Sequence, residues 1–186
     1  MSERGALLRI DRPLWLFAAL LLAAHAPATA QPTENSVKAA FLPKFARYVE
    51  WPGPARPAAG SPLVLCVVGD DPFGGLLDSA AEGQRVDQNP VTVRRVADAG
   101  SAGNCHVAYV RGGGSANTSK MIAAMRGKPV LTITDSRDGG ARGIIHFALK
   151  GGRVGFHVDD AAAARSGLTI SSRLLALALS VKQRRP

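Results

Sequence analysis

A few places in the sequence gather side chains able to do chemistry. Asp70 and Asp71 stand side by side after the apolar run Leu63–Val68. Arg111 precedes Gly112-Gly113-Gly114-Ser115, a loop whose backbone N–H groups can cradle an anion. No GK[ST] follows it at the spacing of a phosphate-binding P-loop. Asp135 closes the run Val130–Thr134. His146 and His157 are imidazoles that would hold a transition metal or titrate near neutral pH if the fold brought them together. No third ligand is evident beside them, with Asp159 the nearest candidate, so no metal is expected. Cys66 and Cys105 are the two cysteines of the chain, too few for a disulfide-framework protein or a four-thiolate zinc site. There is no G-x-S-x-G and no H-E-x-x-H, and no nucleophile–base set stands out. Nothing in the sequence argues for an enzyme or a resident cofactor.

Elements must position these groups. Val37, Phe41, Phe45, Tyr48 and Val49 recur at helical spacing, which predicts a helix from Glu34 to about Tyr48. Pro43 inside it either kinks the helix or moves its start to Leu42. Leu63–Val68 is β-rich and apolar throughout, the pattern of a strand buried on both faces. Asp71 and Pro72 read as N-cap and first residue of a helix to about Ala81. Val91–Val96, His106–Val110 and Val130–Thr134 are further strands, and a helix through Met121 and Met125 ends at Gly127. Ile144–Leu149 and Val154–Val158 form a hairpin about the two-residue turn Gly151-Gly152. In that register Lys150 faces Arg153, His146 faces His157, and Phe147 faces Phe156 on the other side of the sheet. The last stretch predicts a helix capped by Ser171 or Ser172, apolar nearly all round through Val181 and therefore buried.

Strands alternating with helices predict an α/β fold: a three-layer sandwich, its sheet mostly parallel, with helices on both faces and the antiparallel hairpin at one edge. In such sheets ligands sit beyond the carboxyl ends of the strands. Asp70, Asp71, Arg111 and Asp135 all fall there and are the candidate small-ligand residues.

The first 30 residues read as an address. Arg4, Arg9 and Arg12 precede the uncharged run Leu14–Ala24, and Ala28-Thr29-Ala30 supplies a small-x-small cleavage pattern. The run is short of the roughly 20 residues that span a bilayer. A secretory signal peptide over 1–30, cleaved after Ala30, leaves a single domain over 31–186. The whole chain has 186 residues, 46% hydrophobic and 20% charged, which excludes wholesale disorder. Its formal charge of +9 suits solubility, an acidic partner or an anionic membrane face. No aromatic stripe interleaved with Lys and Arg appears, so nucleic acid is not an expected partner. Export would carry Cys66 and Cys105 into an oxidising compartment, where they either pair or stay as two buried thiols. A bridge closing about 39 residues would stabilise the fold by roughly 4 kcal/mol on the chain-entropy model.

Val37-Lys38-Ala39-Ala40-Phe41-Leu42, continuing from Phe45 to Pro52, resembles the opening motif of the YfiR family. Leu65 to Gly74, Cys105-His106-Val107, Val130 to Asp135 and Gly167 to Leu175 follow in family order. The resemblance implies a periplasmic α/β regulator that forms a homodimer. It implies binding to, and repression of, the periplasmic sensor domain of an inner-membrane diguanylate cyclase or another membrane sensor. The output would be lower cyclic di-GMP and altered biofilm formation. An OmpA-like outer-membrane lipoprotein is the implied antagonist, and a Cys66–Cys105 disulfide is implied as well. A partner surface needs a few apolar anchors in a polar rim. Phe41, Tyr48 and Trp51 of the first helix region are the candidates, against core packing as the alternative role. Pro43-Lys44 stand where the family carries Tyr-Asn, and His146 and His157 where it carries Asn and Glu.

Overall fold

The computed structural model describes residues 32–184. The leader read over 1–30 lies outside them. Helix α1 (Glu34–Phe45) starts at Thr33, whose hydroxyl accepts a hydrogen bond from the Ser36 N–H at 3.2 Å. The helix runs through Pro43, which sits in its last turn. A 3₁₀ turn (Ala46–Tyr48) then carries the chain into the short strand β1 (Val49–Glu50). Strand β2 (Leu63–Gly69) is buried along nearly its whole length. Helix α2 (Gly75–Ala81), β3 (Arg85–Val86), β4 (Asn89–Val96), β5 (Val107–Arg111), α3 (Ser115–Met125) and β6 (Leu131–Asp135) follow. The second half adds β7 (Ile145–Lys150), β8 (Arg153–Asp159), α4 (Asp160–Arg165), β9 (Thr169–Ile170), α5 (Ser172–Leu177) and β10 (Ser180–Lys182).

Eight strands form one sheet in the order β10-β8-β7-β6-β5-β2-β4-β3. Pairing is parallel except for the β7–β8 hairpin and the small β3–β4 ribbon. β2 therefore lies between β4 and β5, and helices pack over both of its faces, which is why its sequence is apolar on both. β1 and β9 make a separate antiparallel pair, Val49 opposite Ile170. Residues of β2 alternate between two cores. Leu63, Leu65 and Val67 join Phe45, Phe147 and Phe156 beneath α1, while Cys66 and Val68 join Ile122 and Met125 beneath α3. Helices thus cover both faces of a mixed, mostly parallel sheet, as the alternation of elements predicts.

The hairpin keeps the predicted register: His146 pairs with His157, Phe147 with Phe156, and Lys150 with Arg153. Two expectations fail. The helix expected from Pro72 starts at Gly75, because the Asp71 carboxylate turns inward on the chain instead. It accepts from the N–H groups of Phe73 at 2.8 Å and Gly74 at 3.2 Å, an Asx turn that delays the helix. The long buried C-terminal helix is also wrong. α5 spans only Ser172–Leu177, with Leu174 buried and Leu177 67% exposed. The chain then extends as β10 along the outer edge of β8, where the Leu179 N–H donates to the Phe156 carbonyl at 2.8 Å. Pairing satisfies an open sheet edge, and that gain outweighs helix propensity here.

Candidate functional site

The residues expected at the carboxyl ends of the strands are held largely by one another. Gly69 (φ +88°) ends β2, and a Cβ there would lie 2.1 Å from the Arg111 carbonyl oxygen, so the chain crosses closely to β5. The Asp70 N–H donates to that same carbonyl at 2.8 Å, and the Asp70 side chain is exposed. Asp71 pairs with Arg95 at 2.7 Å, and Arg95 also reaches Asp78. Arg111 forms an ion pair with Asp138 at 2.9 Å. Burial pushes the Asp138 carboxyl above its ordinary range and the Tyr109 phenol beside it further up still.

Asp135 is 4% exposed and is met by the ammonium of Lys38, itself 1% exposed and in the middle of α1. Lys38 also contacts Glu34 one turn earlier, and Arg137 grips Glu34 from outside, Nε to Oε1 at 2.8 Å. The Arg137 hydrogen bond, helped by Lys38, holds the Glu34 carboxyl down to about 2. A chain of four charges thus ties α1 to the end of β6. Sequence reasoning passed over Lys38. Its signal was a cation set among apolar positions, four residues after Glu34.

The aromatic candidates sit at different depths. Phe41 is half-buried, its ring 5.6 Å from Phe45, 6.1 Å from Phe156 and 6.3 Å from Phe147. Beside it a shallow groove of about 260 Å³ runs along Val37, Ala40 and Lys44. Tyr48 is half-buried where its carbonyl receives the Ser171 N–H. Trp51 is 5% exposed and packs edge-on to His106, with its indole N–H unpaired among the described residues. Core packing accounts for Trp51, while Phe41 and Tyr48 keep a solvent-facing edge.

The two imidazoles are cross-strand neighbours with separate hydroxyl partners. His146 Nδ1 lies 2.8 Å from Thr134 Oγ1, and His157 Nδ1 2.7 Å from Ser180 Oγ. Among the described residues no group of three His, Cys, Asp or Glu side chains could hold a metal ion. Burial, followed by the charge of Arg142, lowers His146 to about 4. The unfolded chain takes up this proton near its ordinary value of 6.5, so stability falls as pH drops from there toward 4. Urea denaturation at pH 7 and pH 5 should show a loss of about 2 kcal/mol that His146→Gln largely removes. An unchanged pH slope in that variant would assign the loss to other groups, with His106 next in line because burial lowers it too.

Cys66 and Cys105 form a disulfide, with Cα atoms 5.8 Å apart, inside the α3-side core. No helix among the described residues is long and apolar enough to cross a membrane. The picture is a disulfide-stapled α/β sandwich whose charged groups at the strand ends are mostly engaged with each other. A family model described as YfiR/HmsC-like matches residues 35–179, and the chain belongs to that family. The family is one of periplasmic regulators of diguanylate cyclase, regulatory rather than catalytic. A search of curated proteins returned no match.

Proposed function

We propose that this chain is exported, loses residues 1–30 and acts in the periplasm as a non-catalytic repressor. It binds the periplasmic sensor domain of an inner-membrane diguanylate cyclase and lowers cyclic di-GMP. The observation that carries the reading is the family match, which runs from α1 through α5 and so takes in all of the sandwich but β10. The outer face of α1 is the docking surface in this reading. Val37, Ala40 and Phe41 offer half-buried apolar area beside the exposed Lys44, an apolar centre with a charged rim. A homodimer, and release by an OmpA-like outer-membrane lipoprotein, belong to the same reading.

The test is cyclic di-GMP in cells lacking the gene, complemented with the chain with and without residues 1–30. Deletion should raise cyclic di-GMP, and only the form with its leader should restore it. No rise on deletion, with export of the protein verified, counts against repression of a cyclase. Ala40→Glu places a charge in the α1 groove and should leave the folded protein unable to complement. Full complementation by that variant would move the docking surface elsewhere.

A further inference from the structure

A wide groove lies at the end of the sheet opposite Asp70, Arg111 and Asp135. It opens where α3 ends, beside the amino-terminal part of β6, the segment entering β7 and the length of α4, and has a volume of about 810 Å³. That is within the range of small-molecule sites, roughly 300–1,000 Å³. Its rim carries four cations from four separate segments: Arg126, Arg142, Arg165 and Lys182. The one acid in the lining, Asp159, is already committed. One oxygen caps α4 through the Ala162 N–H at 2.7 Å and the other pairs with Lys182 at 3.0 Å. Arg126, Arg142 and Arg165 have no ion-pair partner among the described residues. Three guanidinium groups therefore face one opening with no internal counter-charge, the reverse of the opposite end of the sheet.

The floor has the complementary character. Ile122, Met125 and Ile144 are buried beneath the opening. Gly143 keeps the floor low, since a Cβ there would lie 2.6 Å from the Thr132 carbonyl oxygen. Two buried hydroxyls line the groove. Thr132 Oγ1 accepts from the Ile144 N–H at 3.1 Å, which leaves its own O–H to donate. Ser166 is 8% exposed and also lines the groove. An apolar floor, buried donors and a cationic rim select one ligand chemistry.

We infer that this groove binds a small organic anion, with an apolar body against Ile122, Met125 and Ile144 and a carboxylate or phosphate held by Arg126, Arg142 and Arg165. The inference is independent of the docking surface on α1, because no residue of α1 lines the groove. It makes the protein a candidate for tuning by a metabolite, because ligand and partner would then bias the same fold from two sites.

The probe is 1-anilinonaphthalene-8-sulfonate, an apolar body with one anionic group, followed by fluorescence titration of the purified chain. Its uncharged relative N-phenyl-1-naphthylamine is titrated in parallel. Arg126→Ala/Arg165→Ala should weaken the sulfonate by about tenfold or more. The uncharged probe should change by less than about twofold in that variant. Lys150→Gln/Arg153→Gln removes the same charge from the hairpin tip and should change neither probe by more than about twofold. Both pairs are exposed, so all variants should fold, and matching thermal melts verify it. Competition by phenyl phosphate and by phenylacetate distinguishes the two head groups, the tighter competitor naming the class. Equal weakening in the two double variants, equal weakening of both probes, absence of saturable binding, or failure of both competitors would each overturn the site.

Discussion

Lys38→Met should cost the fold on the order of 3–5 kcal/mol. The ammonium is the counter-charge for Asp135, and both groups are almost wholly out of water, at 1% and 4% exposure. Removing one partner of a buried pair leaves the other as a desolvated charge, which is far worse than removing both. Met keeps most of the length and apolar stem of Lys, and what it removes is the ammonium, together with that group's approach to the Phe147 ring at 6.0 Å. The loss therefore reports charge and not packing. Glu34 has a second partner in Arg137 and should stay satisfied. Among the described residues Asp135 has only the Arg137 N–H at 3.0 Å beyond Lys38. Asp135→Asn keeps the acceptor for that N–H, so the double variant Lys38→Met/Asp135→Asn should recover much of the loss. A denaturant-based double-mutant cycle measures the coupling. A coupling below about 1 kcal/mol would reduce the pair to a surface-like contact. Because α1 carries the proposed docking surface, the single variant should also fail to complement a deletion, and the double variant should complement again.

Particular residues show how far the sequence could be read. The hairpin register was legible because Gly151-Gly152 fixes a two-residue turn, and every pairing then follows by counting. β2 was legible because a strand covered by helices on both faces needs apolar residues on both. The C-terminal segment was misread for a local reason. Leu175, Leu177, Leu179 and Val181 alternate with period 2, the strand pattern, yet Leu174 beside Leu175 also satisfied a helical one. Only the position of the β8 edge decides between them, and that is a property of the assembled sheet. The charged groups illustrate the same limit. Asp71, Arg111 and Asp135 stand at strand ends as predicted, but their counter-charges are Arg95, Asp138 and Lys38. The last pair is separated by 97 residues. Likewise Arg126, Arg142, Arg165 and Lys182 belong to no motif and converge only in the fold. Residue type announced which groups could bind a ligand, and tertiary pairing decided which of them remain free to do so.

Reduction of the Cys66–Cys105 bridge should cost roughly 4 kcal/mol, the chain-entropy value for a closed loop of this length. The bridge spans a sequence separation of 39 and joins β2 to the segment entering β5. Most of the effect falls on the unfolded chain, which gains freedom when the loop opens. The denaturant slope should therefore rise as the midpoint falls, because a more expanded unfolded state exposes more surface. Cys66→Ala/Cys105→Ala adds a second loss. Cys66 is 0% and Cys105 4% exposed, packed with Val68, Ala108 and Ile122, and truncating both sulfurs leaves empty volume. Reduced wild type keeps that volume, so it isolates the cross-link, and the double alanine variant should be the less stable of the two. A loss below about 1 kcal/mol on reduction would show that the bridge does not stabilise the fold. The position of the bridge also predicts where the reduced protein loosens. It lies in the core beneath α3, whose Ile122 and Met125 form two of the three apolar floor residues of the cationic groove, while α1 packs on the other core. Hydrogen exchange should lose protection first in α3 and the adjoining strands and last in α1. Sulfonate-probe affinity should then fall on reduction under conditions where complementation through the α1 face survives, which would couple the redox state of the bridge to the groove and not to the docking surface.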